Sequence, residues 1–545
     1  MPHLPHQVSR RSRAAVFRWP AAALVALCWA IHAPATLAAD GVQSSPAYTG
    51  NVIVRWRDTS LTPSASGAMG DAKQGTPAGE DRLQQLRSHS GVNLAVRRSM
   101  AGNTDLVGTA DGSHPDPEAL AATLRQDPRV ADAVPDRWLH LHDTIPNDPE
   151  FASAQPYMMG TGTAVGGANL PRAWDRSRGS AGIVVAVLDT GYLPHPDLAA
   201  KLVAGYDFIS STTVSNDGDG RDSDPTDAGD NVPSGFLCPG SSTPTTTATS
   251  NSWHGTRVAS VLGALTNNGQ GIAGVDWNTR ILPVRVAGRC GALLSDTVDG
   301  MRWAAGISVP NVPDNVNPAR VINISLGGGT CTSIEQQAIN DVVGRGVSVV
   351  VAAGNSGGAL EAPADCSGVI AVTAHVNDGE NSSFASVGPQ VTISAPGGGC
   401  GNSKVVNGMC TTAVSQIRTL SNDGTTSLGA YKTINSQGTS FAAPMVSGVV
   451  SLMLSVNGTL SPAQITAALK SSARPHPSGT YCTTNPGVCG AGLLDAAGAL
   501  TAAANTTAAP PAPSSGGGGG GAMAPWLAAL LGVAGLLAFS LRRRG

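Results

Sequence analysis

Short, unbroken apolar runs that stop at a polar residue mark the middle of this chain. Ile183–Leu188 stops at Asp189-Thr190-Gly191. Val321-Ile322-Asn323-Ile324 leads into Ser325-Leu326-Gly327-Gly328, and Val347–Ala353 ends at Gly354-Asn355. Runs this short and this rich in β-branched residues read as strands buried on both faces. Helical stretches lie between them. Trp253-His254-Gly255-Thr256 opens one over Arg257–Leu265, and Ser440 starts another that runs to about Leu454. Strands alternating with helices predict an α/β unit from Pro146 to about Ala503, with a parallel sheet covered on both sides. In such sheets the crevice lies beyond the carboxyl ends of the strands, so these polar residues are expected to meet at one edge.

Upstream, residues 48–142 predict a smaller α/β unit. Asn51–Trp56 reads as a strand, Arg82–Ser88 and Glu118–Gln126 as helices, and Val130–Val134 as a further strand. Both ends of the chain differ from this body. Arg10, Arg11, Arg13 and Arg18 precede the apolar run Ala21–Ala30, and small residues at 35–39 offer a cleavage site. That is the pattern of an export signal over residues 1–39. The Arg10-Arg11 pair hints at twin-arginine export, but the usual apolar residue after the pair is missing, which favours the general secretory route. At the other end a Pro/Gly-rich linker, 504–522, precedes an uncharged stretch, Met523–Leu541, long enough to span a bilayer. Arg542, Arg543 and Arg544 follow it, as expected of a cytoplasmic stop. The competing reading of 523–541 is a buried core helix.

Composition narrows the class. The chain has 545 residues, 67 of them Gly and 37 Pro, a formal net charge of -3 and only 13% charged residues. This fits a loop-rich exported protein, and without a basic stripe nucleic-acid binding is not expected. Removing the leader removes Cys28 from the nine cysteines and leaves an even set at 238, 290, 331, 366, 400, 410, 482 and 489. Four disulfides in an oxidising compartment are expected. The sequence leaves 105 connectivities open. Sequential pairs are favoured because Cys400/Cys410 and Cys482/Cys489 close short loops. A zinc site lacks its CxxC or HExxH spacing.

The polar residues at the strand ends include the parts of a nucleophilic site. A serine needs a base to remove its proton. Gly438-Thr439-Ser440 puts Ser440 at a helix start, where unpaired N–H groups and the helix dipole favour developing negative charge. His254 is the candidate base, and Asp189 its orienting partner. The Asn355 amide and the Ser440 backbone N–H are candidate donors to an oxyanion. Each residue alone has a plainer role: Asp189 in a turn, His254 and Ser440 as caps, Asn355 in a loop. An aspartic-protease origin for Asp189-Thr190-Gly191 would need a second such motif, and none exists. All the plainer roles must hold together, in this order and at the ends of the right elements.

The segments VLDTGY, HGTRVAS, SLGG, VAAGNSGG and GTSFAAPMVSG, over roughly residues 146–500, resemble those of the subtilase family in its Asp, His, Ser order. The resemblance implies a subtilisin-like three-layer α/β fold with a seven-stranded parallel core. It implies a serine endopeptidase with Asp189, His254, Ser440 and Asn355 at its centre. Ser325, Leu326 and Gly327 would pair with the substrate backbone as an added strand. The upstream unit resembles the family's inhibitor-type propeptide, a ferredoxin-like chaperone that caps the cleft until autolysis. That gives a propeptide over 40–142, with its junction near His140–Thr144, and a peptidase domain over 143–503.

The loop Thr266–Gly274 resembles the calcium loop of thermitase-like members. Carried over, Asp148, Asp197 and Asn268 supply side-chain oxygens, and Leu265, Gln270 and Ile272 supply carbonyls to Ca2+. The plainer alternative is an Asn-Gly turn. The acidic stretch Asn216–Asp230 is a second calcium candidate, with Asp222 and Asp227 as ligands, because its carboxylates would repel one another without a cation; the alternative is a solvated loop. The C-terminal tail resembles a GlyGly-type sorting signal of Gram-negative bacteria, which implies removal by a rhomboid-like protease after transient inner-membrane anchoring. The expected product is a secreted or surface-bound enzyme that cuts proteins or peptides, held inactive by its own propeptide and monomeric when mature. The alternative is a catalytically silent, calcium-stabilised surface binding protein on the same fold.

Overall fold

The computed structural model describes residues 48–57, 77–113, 116–137 and 143–507. The leader with Cys28, most of the 504–522 linker and the 523–545 segment lie outside the described residues. The chain divides into two compact units, 1–141 and 142–545.

In the first unit, β1 (Tyr48–Trp56), α1 (Pro77–Ser90), β2 (Leu94–Met100), β3 (Thr104–Thr109), α2 (Pro117–Leu124) and β4 (Val130–Arg137) follow in order. The four strands pair antiparallel in the order β2-β3-β1-β4, with both helices as crossovers, which is the ferredoxin-like arrangement. Val52, Val54 and Trp56 alternate inward from β1 and meet Leu83, Leu86, Leu120 and Leu124. The two middle strands, β2 and β3, escape the sequence pattern. Only Leu94 of β2 is fully buried, and Arg97, Arg98 and Ser99 face solvent, so no apolar run announces the strand.

The second unit is built on a sheet of seven strands. They are β5 (Val184–Asp189), β6 (Tyr206–Asp207), β7 (Arg280–Arg285), β8 (Val321–Ile324), β9 (Ser348–Ala352), β10 (Ile370–His375) and β11 (Ile393–Pro396). Their order is β11-β10-β9-β8-β5-β7-β6, and every neighbouring pair is parallel. Alternate residues feed two cores. Val185 and Val187 of β5 pack on one side with α3 (His254–Gly263) and α6 (Thr439–Val456). Ala186 and Leu188 pack on the other with α4 (Leu294–Ala304) and α5 (Ser333–Gly344). This is the three-layer arrangement expected of continuous apolar strands.

Helix α6 is apolar all round because it runs through the first core. It is long and apolar enough to cross a membrane, yet 89% of that stretch is buried inside the protein. The hairpin of β12 (Ile417–Asn422) and β13 (Tyr431–Ser436) precedes it. Four disulfides tie the loops in sequential pairs: Cys238–Cys290, Cys331–Cys366, Cys400–Cys410 and Cys482–Cys489. These are the favoured pairs. The first two cross-link segments 52 and 35 residues apart and so restrict the unfolded chain most.

Candidate active site

The three parallel strand ends and two helix N-termini converge as the pattern predicts. Asp189 is the last residue of β5 and is 1% exposed. Its Oδ1 accepts a hydrogen bond from the Thr190 N–H at 2.8 Å. His254 is the first residue of α3, and its Nδ1 lies 2.8 Å and 3.0 Å from the two Asp189 carboxylate oxygens. Close backbone packing makes this possible. A Cβ on Gly255 would sit 2.1 Å from the Gly191 carbonyl oxygen, and Gly191 itself turns at φ +100 against Pro225. Both positions therefore need glycine. Thr190 completes the joint: its Oγ1 accepts from the Gly255 N–H at 2.9 Å and donates to Asp227 at 2.7 Å.

Ser440 is the second residue of α6 and is 8% exposed. Its placement depends on a missing donor. Pro444 stands four residues on and has no N–H, so the Ser440 carbonyl loses its helical partner. The Ser325 hydroxyl takes that role, donating to the Ser440 carbonyl at 2.9 Å. Ser325 is held in turn by the buried Asn323 amide at 3.0 Å, and Asn323 accepts from Ser447 of α6 at 2.9 Å. The end of β8 is thus fastened to the first turns of α6. Ser440 Oγ donates to the Ser325 carbonyl at 3.2 Å, and among the described residues no hydrogen bond joins it to His254. In this resting arrangement the hydroxyl has to rotate before the base can reach its proton.

Asn355 follows β9. Its Oδ1 accepts from the Thr439 N–H at 2.9 Å and from the Thr439 hydroxyl at 3.0 Å. With the oxygen held by the Thr439 N–H, the amide orientation is set, and among the described residues Nδ2 remains as the free donor. Ser440, Asn355, Ser325, Leu326 and Gly327 all line one cavity of about 480 Å³. The neighbouring charges set the state of His254. Burial works against a charged ring, but the Asp189 carboxylate outweighs it, and the net result lies above the ordinary imidazole value. Arg257, one turn further along α3, opposes that rise. Its guanidinium stacks 5.0 Å from the Phe441 ring and donates to Ser436 at 2.8 Å.

The two cation candidates differ. Asp148 and Asp197 are both 3% exposed and face the 265–274 loop. Asp148 accepts from the Asn267 N–H at 2.7 Å and the Asn268 N–H at 3.2 Å, and Asp197 from the Asn268 amide at 2.7 Å. No Lys or Arg pairs with either among the described residues. Burial first, and the Asp148 charge among lesser causes, push the Asp197 carboxyl up to about 6. The carbonyls of Leu265, Gln270 and Ile272 also accept no hydrogen bond among the described residues. Two buried carboxylates and three idle carbonyls suit a hard cation. Asn268 turns its nitrogen toward Asp197, so ligation through its oxygen requires the amide to flip.

Asp222 and Asp227 each have their own hydrogen-bond partners. Asp227 is occupied by Thr190 and by the Gly229 N–H at 2.9 Å, and Asp222 Oδ1 accepts from the Asp224 N–H at 2.8 Å. No three carboxylates of this loop converge on one point among the described residues. One of them, Asp217, meets a guanidinium. Buried Arg285 bridges Asp207 and Asp217, while Arg221 pairs with Asp296 and Asp299, both at 2.8 Å. Asp227 braces the turn after Asp189 through Thr190. Asn323, Thr439 and Asp227 were not legible as supports of the site. The one signal was a lone Asn inside an apolar strand.

Comparison with known proteins agrees with this arrangement. A sequence profile of the subtilase family matches residues 180–511. An extracellular protease of Xanthomonas campestris is 39% identical over 85% of this chain and 74% of its own length. Thermitase of Thermoactinomyces vulgaris is 34% identical over 46% of this chain and 73% of its own. An extracellular basic protease of Dichelobacter nodosus is 37% identical over 64% of this chain and 55% of its own. Among solved structures, a protease from Pseudoalteromonas arctica has 43% identity and a TM-score of 0.58, covering 66% of this chain and 99% of its own. Sequence and fold thus lead to one conclusion: the chain belongs to the subtilase family.

Proposed function

We propose that this secreted serine endopeptidase cuts proteins through Ser440, His254 and Asp189, with Asn355 as an oxyanion donor. The single observation that carries the reading is the pairing of His254 Nδ1 with Asp189 beside a helix N-terminus that bears Ser440. Ser440 Oγ swings from the Ser325 carbonyl to His254 Nε2, gives up its proton and attacks the peptide carbonyl. The Asp189 carboxylate holds the imidazole tautomer and stabilises the cation that forms. The oxyanion accepts from the Ser440 backbone N–H and from Asn355 Nδ2. His254 then protonates the leaving amine, and a water molecule repeats the cycle on the acyl-enzyme. The substrate lies along Ser325-Leu326-Gly327 as an added strand.

Asn355→Leu keeps the bulk but removes the donor. Its kcat is expected to fall about 10²- to 10³-fold, with KM little changed. Steady-state kinetics on a peptide anilide check this; a tenfold rise in KM at constant kcat would place Asn355 in substrate binding instead.

Calcium belongs to the same proposal, held by Asp148, Asp197, Asn268 and the carbonyls of Leu265, Gln270 and Ile272. The ion would favour the ionised form of Asp197, whose carboxyl is pushed up first by burial and less by the Asp148 charge. A ligand at a hundred times its Kd stabilises by roughly 2.7 kcal/mol, so chelation is expected to lower the thermal midpoint by several degrees. Calorimetric scans with EDTA and with added Ca2+ check this, and Asp197→Ala should abolish the difference.

The ferredoxin-like unit supports a propeptide role: a chaperone and inhibitor removed near His140–Thr144. The leader directs export, and the tail serves as a sorting signal that a rhomboid-like protease removes after transient inner-membrane anchoring. The mature enzyme is then a monomer. The silent binding protein is disfavoured because the His254–Asp189 pair and the Asn355–Thr439 bond stand in place beside Ser440.

A further inference from the structure

We infer that Glu361 makes the cavity beside Ser440 selective for a lysine or arginine immediately before the cleaved bond. The inference rests on the assignment of Ser440 and Asn355 just given. The carbonyl under attack has to sit between Ser440 Oγ and the Asn355 amide. The side chain on that same residue then enters the cavity that opens between the two strand exits. Leu326 and Gly327, beyond β8, form one wall; Ala352 and Gly354, at the end of β9, form the other. These residues are neutral and mostly small. Glu361 is the one charged residue in the lining.

Glu361 is fixed across the cavity by its backbone. Its N–H donates to the Ala353 carbonyl at 3.2 Å, on the β9 side. The next residue, Ala362, accepts from the Gly328 N–H at 2.9 Å and donates to the Gly329 carbonyl at 3.1 Å, on the β8 side. The side chain folds back over Gly354: a Cβ built there would lie 3.1 Å from the carboxyl carbon of Glu361. Glycine at 354 leaves the space that the carboxylate fills. Among the described residues no donor and no Lys, Arg or His pairs with this carboxylate. It is partly buried, so a neutral side chain filling the cavity would strip its remaining water without replacing it. An ammonium or guanidinium would replace that water with a charge-assisted hydrogen bond. Discrimination therefore works in both directions, by attraction of the cation and by the desolvation cost of the apolar competitor.

The test uses the mature enzyme from the full chain and four blocked tetrapeptide anilides that differ only in the last residue: Lys, Arg, Leu or Phe. The expected result is a higher kcat/KM for Lys and Arg than for Leu and Phe. In Glu361→Gln the ratio of basic to apolar substrates is expected to fall about tenfold or more. Mass-spectrometric mapping of cuts in unfolded casein gives a measure that needs no variant, and cuts should concentrate after Lys and Arg. A ratio that stays within a factor of about two in Glu361→Gln, or casein cuts that favour Leu and Phe, would overturn the inference. Ser440→Ala separates the two levels. If it still cuts all four anilides, the underlying site assignment fails and the inference with it. If it is inactive while the Glu361→Gln ratio does not move, the role of Glu361 alone is wrong.

Discussion

Ser440→Ala is expected to lower kcat by about 10⁶-fold while leaving the folded enzyme intact. The hydroxyl is both the nucleophile and the donor to the Ser325 carbonyl, but only the first role is costly to lose. The loop remains fastened by Ser325 to the Ser440 carbonyl at 2.9 Å, a bond that alanine retains. Binding should survive as well, because Asn355, the Ser440 N–H and the 325–327 segment are untouched. The variant should therefore accumulate as an unprocessed precursor that cuts neither substrate peptides nor its own propeptide, and should bind those peptides once another protease has removed the propeptide. Single-turnover kinetics and the mass of the purified chain check both halves. Maturation at the normal rate would mean that another protease does the processing, and residual turnover above 10⁻⁴ of normal would mean that another nucleophile operates.

Asp189→Asn is expected to cost about 10⁴-fold in kcat/KM and to move the pH profile. In the native enzyme burial disfavours imidazolium, the Asp189 carboxylate favours it more, and the net pKa is raised. A base must be neutral to accept a proton, so kcat/KM should rise with pH and reach half its plateau above the ordinary imidazole value of about 6.5. The asparagine removes the main raising influence and leaves burial and Arg257, which lower the pKa, against only the smaller pull of the Asp230 charge. The midpoint should then fall below about 6.5, even as the plateau drops. Linkage runs the same way. A raised folded-state pKa contributes stability that is complete below about pH 6.5 and is lost as pH rises through the folded value. The native pair should therefore add less to stability in alkaline solution, where the enzyme is most active. A pH–rate profile of both proteins checks the prediction, and an unmoved midpoint would exclude His254 as the titrating base.

The legible part of this protein was the part that repeats. Strands such as Val184–Asp189 are buried on both faces, so their apolar residues are continuous and their polar ends stand out. Parallel pairing then forces those ends to one edge. The ferredoxin-like unit was half legible for the converse reason: β2 exposes most of its residues and carries no such run. In the 216–230 stretch the carboxylates are close in sequence, while the guanidinium that pairs with Asp217, and with Asp207 outside the stretch, comes from Arg285, at the end of β7. Spacing along the chain displays like charges and hides a counter-charge delivered by the fold. Ser325 and Pro444 illustrate the same limit. The motif shows both residues, but only three dimensions show that the missing N–H of one is answered by the hydroxyl of the other. Glu361 sits in a loop with no pattern at all, and its meaning comes from the two walls to which its backbone is tied.

Labelling with a fluorophosphonate tests the central assignment most directly. The reagent loses fluoride and forms a bond from phosphorus to an activated serine oxygen, which requires the base and the oxyanion donors together. After labelling of the mature enzyme and proteolytic mapping, one adduct on Ser440 is predicted, absent from Ser440→Ala and strongly slowed in His254→Ala. An adduct on another serine that accompanies loss of activity, or full activity in an enzyme labelled at Ser440, would contradict it.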